Sequence, residues 1–308
     1  MFKYLIPKCY LTLNTSPLIK LKPAKYFVDI PSRFFISKKF STLNSLNNKY
    51  PDNATDKTTI INNQANELNK DSSTCLSKEN SDKFNMKISF HSKMQISKHG
   101  YVIRFRLPEE TSSSKFSICR YIYLEGIADR TGELVKRPYH PISLDTDKGF
   151  IDVFIKVYEK NPREKFGIFS NFLVNLQEGQ VLTLHGSYGS MVYEGNGNFS
   201  IFKQTQNSIL NKKVKRIGMI AGGSGIAPMF QLIQKIITTR DNTAVSLIYC
   251  TKSIDEMSFG EDLIKFDRKG KLSFYPVVEN VESANWAFGK GKVDQEMIFN
   301  YMPDPAGK

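Results

Sequence analysis

RIGMIAGGSGIAPMFQ, residues 216–231, carries three signals in succession. Residues 217–221 form a short apolar run of the kind that makes a buried strand. Gly222, Gly223 and Gly225 follow, and Pro228 opens a helical pattern over 229–237. Strand, glycine turn and helix start together present backbone N–H groups to a phosphate. Glycine permits positive φ and close approach. Proline suits a first helical turn, where its missing N–H would have no partner anyway. The same stretch also reads as an ordinary strand–turn–helix connection. It is not the fingerprint G-x-G-x-x-G, because Pro228 stands where the third glycine belongs.

Working outward, the chain downstream alternates strand and helix. AVSLIYC (244–250) and KLSFYPVV (271–278) read as strands, and EDLIKFD (261–267) between them as a helix. Such alternation implies a parallel sheet of right-handed βαβ units. Ligands bind beyond the carboxyl ends of such strands, here 221–225, 250–253 and 278–280. Upstream the period changes to two. MKISF, YVIRFRL, FSICRYIYL, RPYHPIS and GFIDVFIKVY read as short strands separated by Gly, Pro and Ser clusters. Residues 171–176 read as a short helix. VLTLHG (181–186) and SMVYEG (190–195) are strands again, split by a turn at 186–189. The block 85–208 is therefore an antiparallel unit with barrel-like spacing, and 209–308 is an α/β unit.

A chain of 308 residues accommodates two domains and a tail, and 40% hydrophobic residues suffice for a real core. The net charge of +13 is uneven: residues 1–40 carry +7, 41–84 carry −1 and 85–308 carry +7. A mildly basic globular part suits an acidic protein partner, a phosphate-bearing cofactor or a peripheral membrane contact. No nucleic-acid partner is expected. Residues 1–42 hold eight basic residues and one acid, interleaved with Phe, Tyr, Leu and Ile. That is the profile of a mitochondrial targeting segment. Residues 43–84 are rich in Asn, Ser, Lys and Asp and poor in large apolar residues, as expected of a disordered linker. Cys9, Cys75, Cys119 and Cys250 have no paired spacing, which argues against a disulfide framework or zinc site. The four histidines show no metal-ligand spacing, so no metal is expected. No apolar run approaches the ~18 residues of a membrane span.

Two further stretches carry chemistry. Arg137-Pro138-Tyr139-His140-Pro141-Ile142-Ser143 offers a planar guanidinium fork for a pyrophosphate and a flat ring with a hydroxyl. Gly167-Ile168-Phe169-Ser170-Asn171 stands before the short helix, where Ser170 is a candidate cap and the helix start a candidate phosphate site.

Taken together and in this order, these motifs resemble the NADH–cytochrome b5 reductase family of flavoproteins. The family's R-P-Y-T-P-[VI]-S is similar to RPYHPIS. Its G-K-M-S-Q-Y-L is similar to GIFSNFL (167–173), and its G-P-x-G to GSYG (186–189). Its G-G-T-G-I-T-P-M is similar to GGSGIAPM (222–229). IKVYEK (155–160) and GKGKVDQEMIFNYMPDP (289–305) extend the likeness, which runs from about Lys87 to Lys308.

The resemblance implies an FAD-binding β-barrel at 85–208 followed by an NAD-binding α/β domain at 209–308. It also implies NADH as hydride donor and transfer of single electrons to an acidic haem protein such as cytochrome b5. By position it assigns Arg137, Tyr139 and Ser170 to the FAD phosphates and ribityl chain. Pro138, His140, Ile155, Val157, Lys160, Ile168 and Phe169 would line the cofactor. Gly222, Gly223, Ser224 and Ala227 would flank the flavin ring and nicotinamide, and Glu279 would meet the adenosine ribose. No residue is expected to act as acid or base in the hydride step, which is a matter of positioning. Three departures stand out: His140 and Ala227 replace threonines, and Gly-Ile-Phe replaces Gly-Lys-Met. The family continues into a strand ending Cys-Gly-Pro-Pro-Pro-Met, so the sheet is expected to lack its last strand here. A reductase for another haem or thiol target, or a non-catalytic flavin-binding protein, are the rival readings.

Overall fold

The computed structural model of the chain describes residues 9–14, 84–108, 116–128, 132–157, 167–203, 208–281 and 285–304. The first strand is β1 (Cys9–Asn14). A barrel follows, built from β2 (Phe84–Gln95), β3 (Gly100–Arg106), β4 (Tyr121–Ile127), β5 (Leu134–Tyr139), β6 (Phe150–Lys156), helix α1 (Ile168–Val174) and β7 (Val181–Tyr188). Its six strands are hydrogen-bonded in the order β5-β4-β7-β2-β3-β6, all antiparallel. A register shift at Phe90/Ser92 bends long β2, so its first half pairs with β7 and its second with β3. The two ends of the sheet meet where Pro141 bridges Val153 and Ile142 N donates to Asp152 O at 2.8 Å. Alternation sends Ile103, Phe105, Ile122, Leu124, Ile151 and Leu184 inward, none more than 1% exposed.

Next come β8 (Met191–Gly195), β9 (Asn198–Lys203) and β10 (Ser208–Lys213), a separate three-stranded antiparallel sheet. The second domain runs β11 (Arg216–Gly222), α2 (Ile226–Thr238), β12 (Ala244–Thr251), α3 (Gly260–Arg268), β13 (Ser273–Val278), β14 (Gly289–Lys290) and α4 (Gln295–Tyr301). Its sheet has the order β1-β11-β12-β13-β14, parallel from β11 onward. Helix α2 buries Ile226, Met229, Phe230, Ile233 and Ile236, the i, i+3, i+4 stripe of a helix lying on a sheet.

Several boundaries differ from the sequence reading. The strand expected over 116–124 starts only at Tyr121, because 116–120 turns. The short helix begins at Ile168 rather than 171, and β7 continues through 186–188 where a turn was expected. The β9–β10 hairpin, too polar to stand out by period, spans the expected boundary at 208. The expected leader and linker lie outside the described residues except for 9–14. That stretch pairs antiparallel with β11 along its whole length, Cys9 opposite Ala221 and Asn14 opposite Arg216.

The two domains share one core. Ile118, Ile142 and Phe154 of the barrel belong to the same buried cluster as Met219, Phe230 and Tyr249. Gln231 of α2, with no exposed surface, joins them by hydrogen bonds. Its Oε1 accepts from Cys119 N at 3.2 Å, and its Nε2 donates to Ser143 O at 2.9 Å. Lys235 Nζ adds an ion pair to Asp145 at 2.6 Å.

Candidate functional site

The glycine turn sits where β11 ends. Gly223 takes φ 65, and Gly223–Gly225 is a single 3-10 turn leading into α2. Gly222 and Gly223 are half-buried and Ser224 is exposed. No side chain caps α2, and the N–H of its first residue, Ile226, donates to Gly223 O in the preceding 3-10 turn. Pro228 is the third helical residue, still within the turn whose N–H groups lack intrahelical partners. Ala227 is 4% exposed and packs into the core beneath the turn. The parallel register aligns the other strand ends with it: Gly222 lies opposite Cys250, and Cys250 opposite Val277. Glu279 follows directly, half-buried, its N–H donating to Thr251 O at 2.7 Å. Burial, with the Glu279 carboxylate nearby, pushes the Cys250 thiol up to about 11, so it is a neutral thiol at physiological pH.

On the barrel, β5 presents Arg137 and Pro138 to solvent. The Tyr139 ring is stacked with Phe169 of α1 at 6.4 Å and 28°. Ser170 is buried in the first turn of α1, where its Oγ donates to Gly167 O at 3.1 Å. The helix is capped not by Ser170 but by Gly167 at φ 77, a left-handed conformation that glycine adopts readily. Ile168 is half-buried, and Phe169 (4% exposed) belongs to the barrel core. The donor set here, an exposed guanidinium whose Nη1 donates to Lys136 O at 2.9 Å and whose other N–H groups face solvent, a tyrosine and the N–H groups opening α1, fits a pyrophosphate-bearing cofactor.

Strand β6 divides its residues in a way the motif alone did not reveal. Ile155 has no exposed surface and points into the barrel core with Val153, while Val157 is half-buried against the same core. Phe154 and Lys156 face the second domain instead: Phe154 joins the shared cluster, and Lys156 Nζ pairs with Glu256. The period of two in FIDVFIK was the available signal for Phe154 and Lys156. Lys160 lies outside the described residues.

His140 stands beside Tyr121 at a ring distance of 5.7 Å, and Tyr121 stacks on Tyr188 at 5.8 Å. Burial lowers the imidazole pKa to about 4, so the ring is neutral at physiological pH. A histidine with its folded pKa below the unfolded value of about 6.5 binds its proton first in the unfolded state. Its contribution is therefore fully present above about pH 6.5 and is lost as pH falls toward 4. Between pH 7 and pH 5 the wild type is expected to lose on the order of 1–2 kcal/mol more stability than His140→Gln. Urea unfolding at the two pH values measures it. Equal losses in both proteins would show that His140 is not buried as a neutral ring.

Among the described residues no cluster of three or more His, Cys, Asp or Glu side chains can hold a metal ion. No helix among them is long and apolar enough to cross a membrane.

Comparison with known proteins agrees with this two-part geometry. Residues 87–193 match the family model of the oxidoreductase FAD-binding domain, and 219–308 that of the oxidoreductase NAD-binding domain. NADH-cytochrome b5 reductase 3 of Mus musculus is 34% identical over 208 residues, covering 66% of this chain and 68% of its own. NADH-cytochrome b5 reductase 1 of Homo sapiens is 34% identical over 210 residues, covering 66% and 67%. In fold, the cytochrome b5 reductase domain of Ulva prolifera nitrate reductase superimposes with a TM-score of 0.62 at 24% identity, covering 71% of this chain and 82% of that one.

Proposed function

Because the chain belongs to the NADH–cytochrome b5 reductase family of FAD- and NAD-binding oxidoreductases, we propose that it takes a hydride from NADH and delivers electrons singly to a small acidic haem protein of the cytochrome b5 type. Bound FAD supplies the conversion from a two-electron donor to one-electron transfer, which side chains cannot perform. The chain's own residues position. Arg137, Tyr139 and Ser170 hold the phosphate and ribityl portion against the barrel, with Pro138 and His140 beside them. Gly222, Gly223 and Ser224 bring the backbone of the second domain to the nicotinamide. The observation that supports the reading is that the domain carrying the glycine turn at the end of β11 packs through one shared core on the barrel that carries the β5–α1 face. The excess of basic charge over 85–308 supports an acidic acceptor.

The test uses the full chain loaded with FAD. NADH is expected to bleach the flavin without oxygen, and the reduced protein to reduce purified cytochrome b5, two haem irons per nucleotide. Bleaching without haem reduction, combined with rapid reduction of a disulfide or another haem protein, would transfer the assignment to that acceptor.

Glu279 supports the preference for NADH. A carboxylate beyond the end of β13 accepts a hydrogen bond from a ribose 2′-OH and repels a 2′-phosphate. Glu279→Gln is expected to lower the NADH-to-NADPH ratio of kcat/KM by about tenfold or more, the loss of a charge-assisted hydrogen bond. An unchanged ratio would remove Glu279 from the ribose site. The basic segment 1–42 supports import into mitochondria, and its basic character also suits peripheral contact with an anionic membrane. A reporter fused to residues 1–84 that stays in the cytosol would refute the mitochondrial part.

A further inference from the structure

The two half-sites lie on different domains, so their separation depends on what fixes one domain against the other. Much of the contact is apolar, and apolar contact is non-directional. Besides the Gln231 and Lys235 contacts of α2, a second cluster is directional. The turn at 96–100, between β2 and β3, meets the loop at 252–259 that follows β12. Lys98 N donates to Asp255 O at 3.4 Å, and the Ser97 and Ser258 hydroxyls are 2.8 Å apart. The turn has no slack: a Cβ on Gly100 would stand 2.2 Å from Ser97 Oγ and 2.6 Å from Ser258 Oγ. At the end of β6, Lys156 Nζ pairs with Glu256 Oε2, and His99 Nε2 lies 3.9 Å from the other carboxylate oxygen. The Lys156 and Glu256 side chains are only 8% and 12% exposed. Alongside, Phe259 stacks on Phe230 at 4.0 Å and meets Phe154 edge-on at 5.1 Å.

A nearly buried ion pair is weak evidence of net stability, but it specifies one geometry and leaves a buried charge unpaired in any other. We propose that Glu256 is a positioning residue for hydride transfer. Through Lys156 it clamps the 252–259 loop onto the barrel and sets the distance between the glycine turn at Gly222–Ser224 and the β5 face at Tyr139. The clamp lies at the carboxyl end of β12, on the side of the sheet where the coenzyme binds, so a small tilt there moves the nicotinamide relative to the flavin. This inference rests on the FAD and NADH assignment and is independent of the electron acceptor.

The experiment measures the limiting rate of flavin bleaching when full-length, FAD-loaded protein is mixed anaerobically with saturating NADH. Glu256→Gln is expected to lower that rate about tenfold or more, since displacements of about 1 Å can cost a hundredfold in a positioned reaction. Light-driven reduction of the same flavin should be unchanged, because it needs no second domain. The discriminating step adds Ser97→Cys and Ser258→Cys to the Glu256→Gln protein. Oxidised to a disulfide, which closes the same two loops, the triple variant should recover to within about threefold of wild type, and dithiothreitol should abolish the recovery. A Glu256→Gln rate within about twofold of wild type, or a triple variant equally slow in both redox states, would overturn the proposal. If Glu256→Gln does not retain FAD, Glu256→Asp carries the same comparison. A wild-type protein that NADH fails to bleach would overturn the cofactor assignment and this inference with it.

Discussion

Replacing Gly223 with valine is expected to lower kcat/KM for NADH by about a hundredfold or more while the flavin remains bound. Gly223 sits at φ 65, where a β-branched side chain is a steric outlier. Holding valine there costs about 1–3 kcal/mol, and the turn relieves that strain by moving. The movement falls on the backbone that must approach the nicotinamide, and the two new methyl groups occupy the same face. The residues assigned to the flavin phosphates are on another domain, so the yellow colour should survive. Steady-state kinetics with NADH, read beside the flavin absorbance of the purified protein, measures both halves of the expectation. A valine variant that turns over NADH at the wild-type rate would place the nicotinamide elsewhere. Gly223→Ala should fall between, since it adds the φ penalty with little bulk.

Gln231→Ala is expected to destabilise the protein strongly at the domain boundary. Gln231 has no exposed surface, and its amide satisfies the N–H of half-buried Cys119 and the carbonyl of half-buried Ser143. Truncation strands both and leaves a cavity. With both partners half-buried, each orphaned group costs about 1–2 kcal/mol, so a total of about 2–4 kcal/mol is expected. For a chain of this size that corresponds to a fall of roughly 5–15 °C in Tm. Thermal unfolding of the FAD-loaded protein checks it. Gln231→Glu keeps the acceptor for Cys119 N but loses the donor to Ser143, and brings a charge into a site with no exposed surface. A Tm unchanged by Gln231→Ala would mean that water replaces the amide on both partners.

The motifs were legible because each depends on local chemistry. A glycine turn after an apolar run, an Arg-x-Tyr on an alternating strand and a Gly before a short helix are all visible within a few residues. The periods of two and 3.6 separated the barrel from the α/β unit for the same reason. Errors clustered where local signals compete. Ser170 has the chemistry of a helix cap, but the left-handed Gly167 starts the helix three residues earlier, and the serine turns its hydroxyl back to Gly167 O. Ile155 and Val157 lie in the right motif but on the core side of β6. Their neighbours Phe154 and Lys156 face the second domain. No local signal marked that His140 packs against Tyr121, which stacks on Tyr188 from the far end of β7.

From the sequence alone came the two-domain order, the motif stretches at the candidate site and the positions of the strand ends. These follow from hydrophobic period and backbone conformation, both set within a window of about ten residues. Only the tertiary structure decided how the two domains are joined. Gln231 and Cys119 are 112 positions apart, and Lys156 and Glu256 are 100 apart. Nothing in either neighbourhood marks the partner. A buried amide and a buried ion pair acquire their meaning from desolvation, which exists only once the two domains have closed over them. The pattern of RIGMIAGGSGIAPMFQ identified the glycine turn at the end of β11. The side chains that join its domain to the barrel come from far away in the chain.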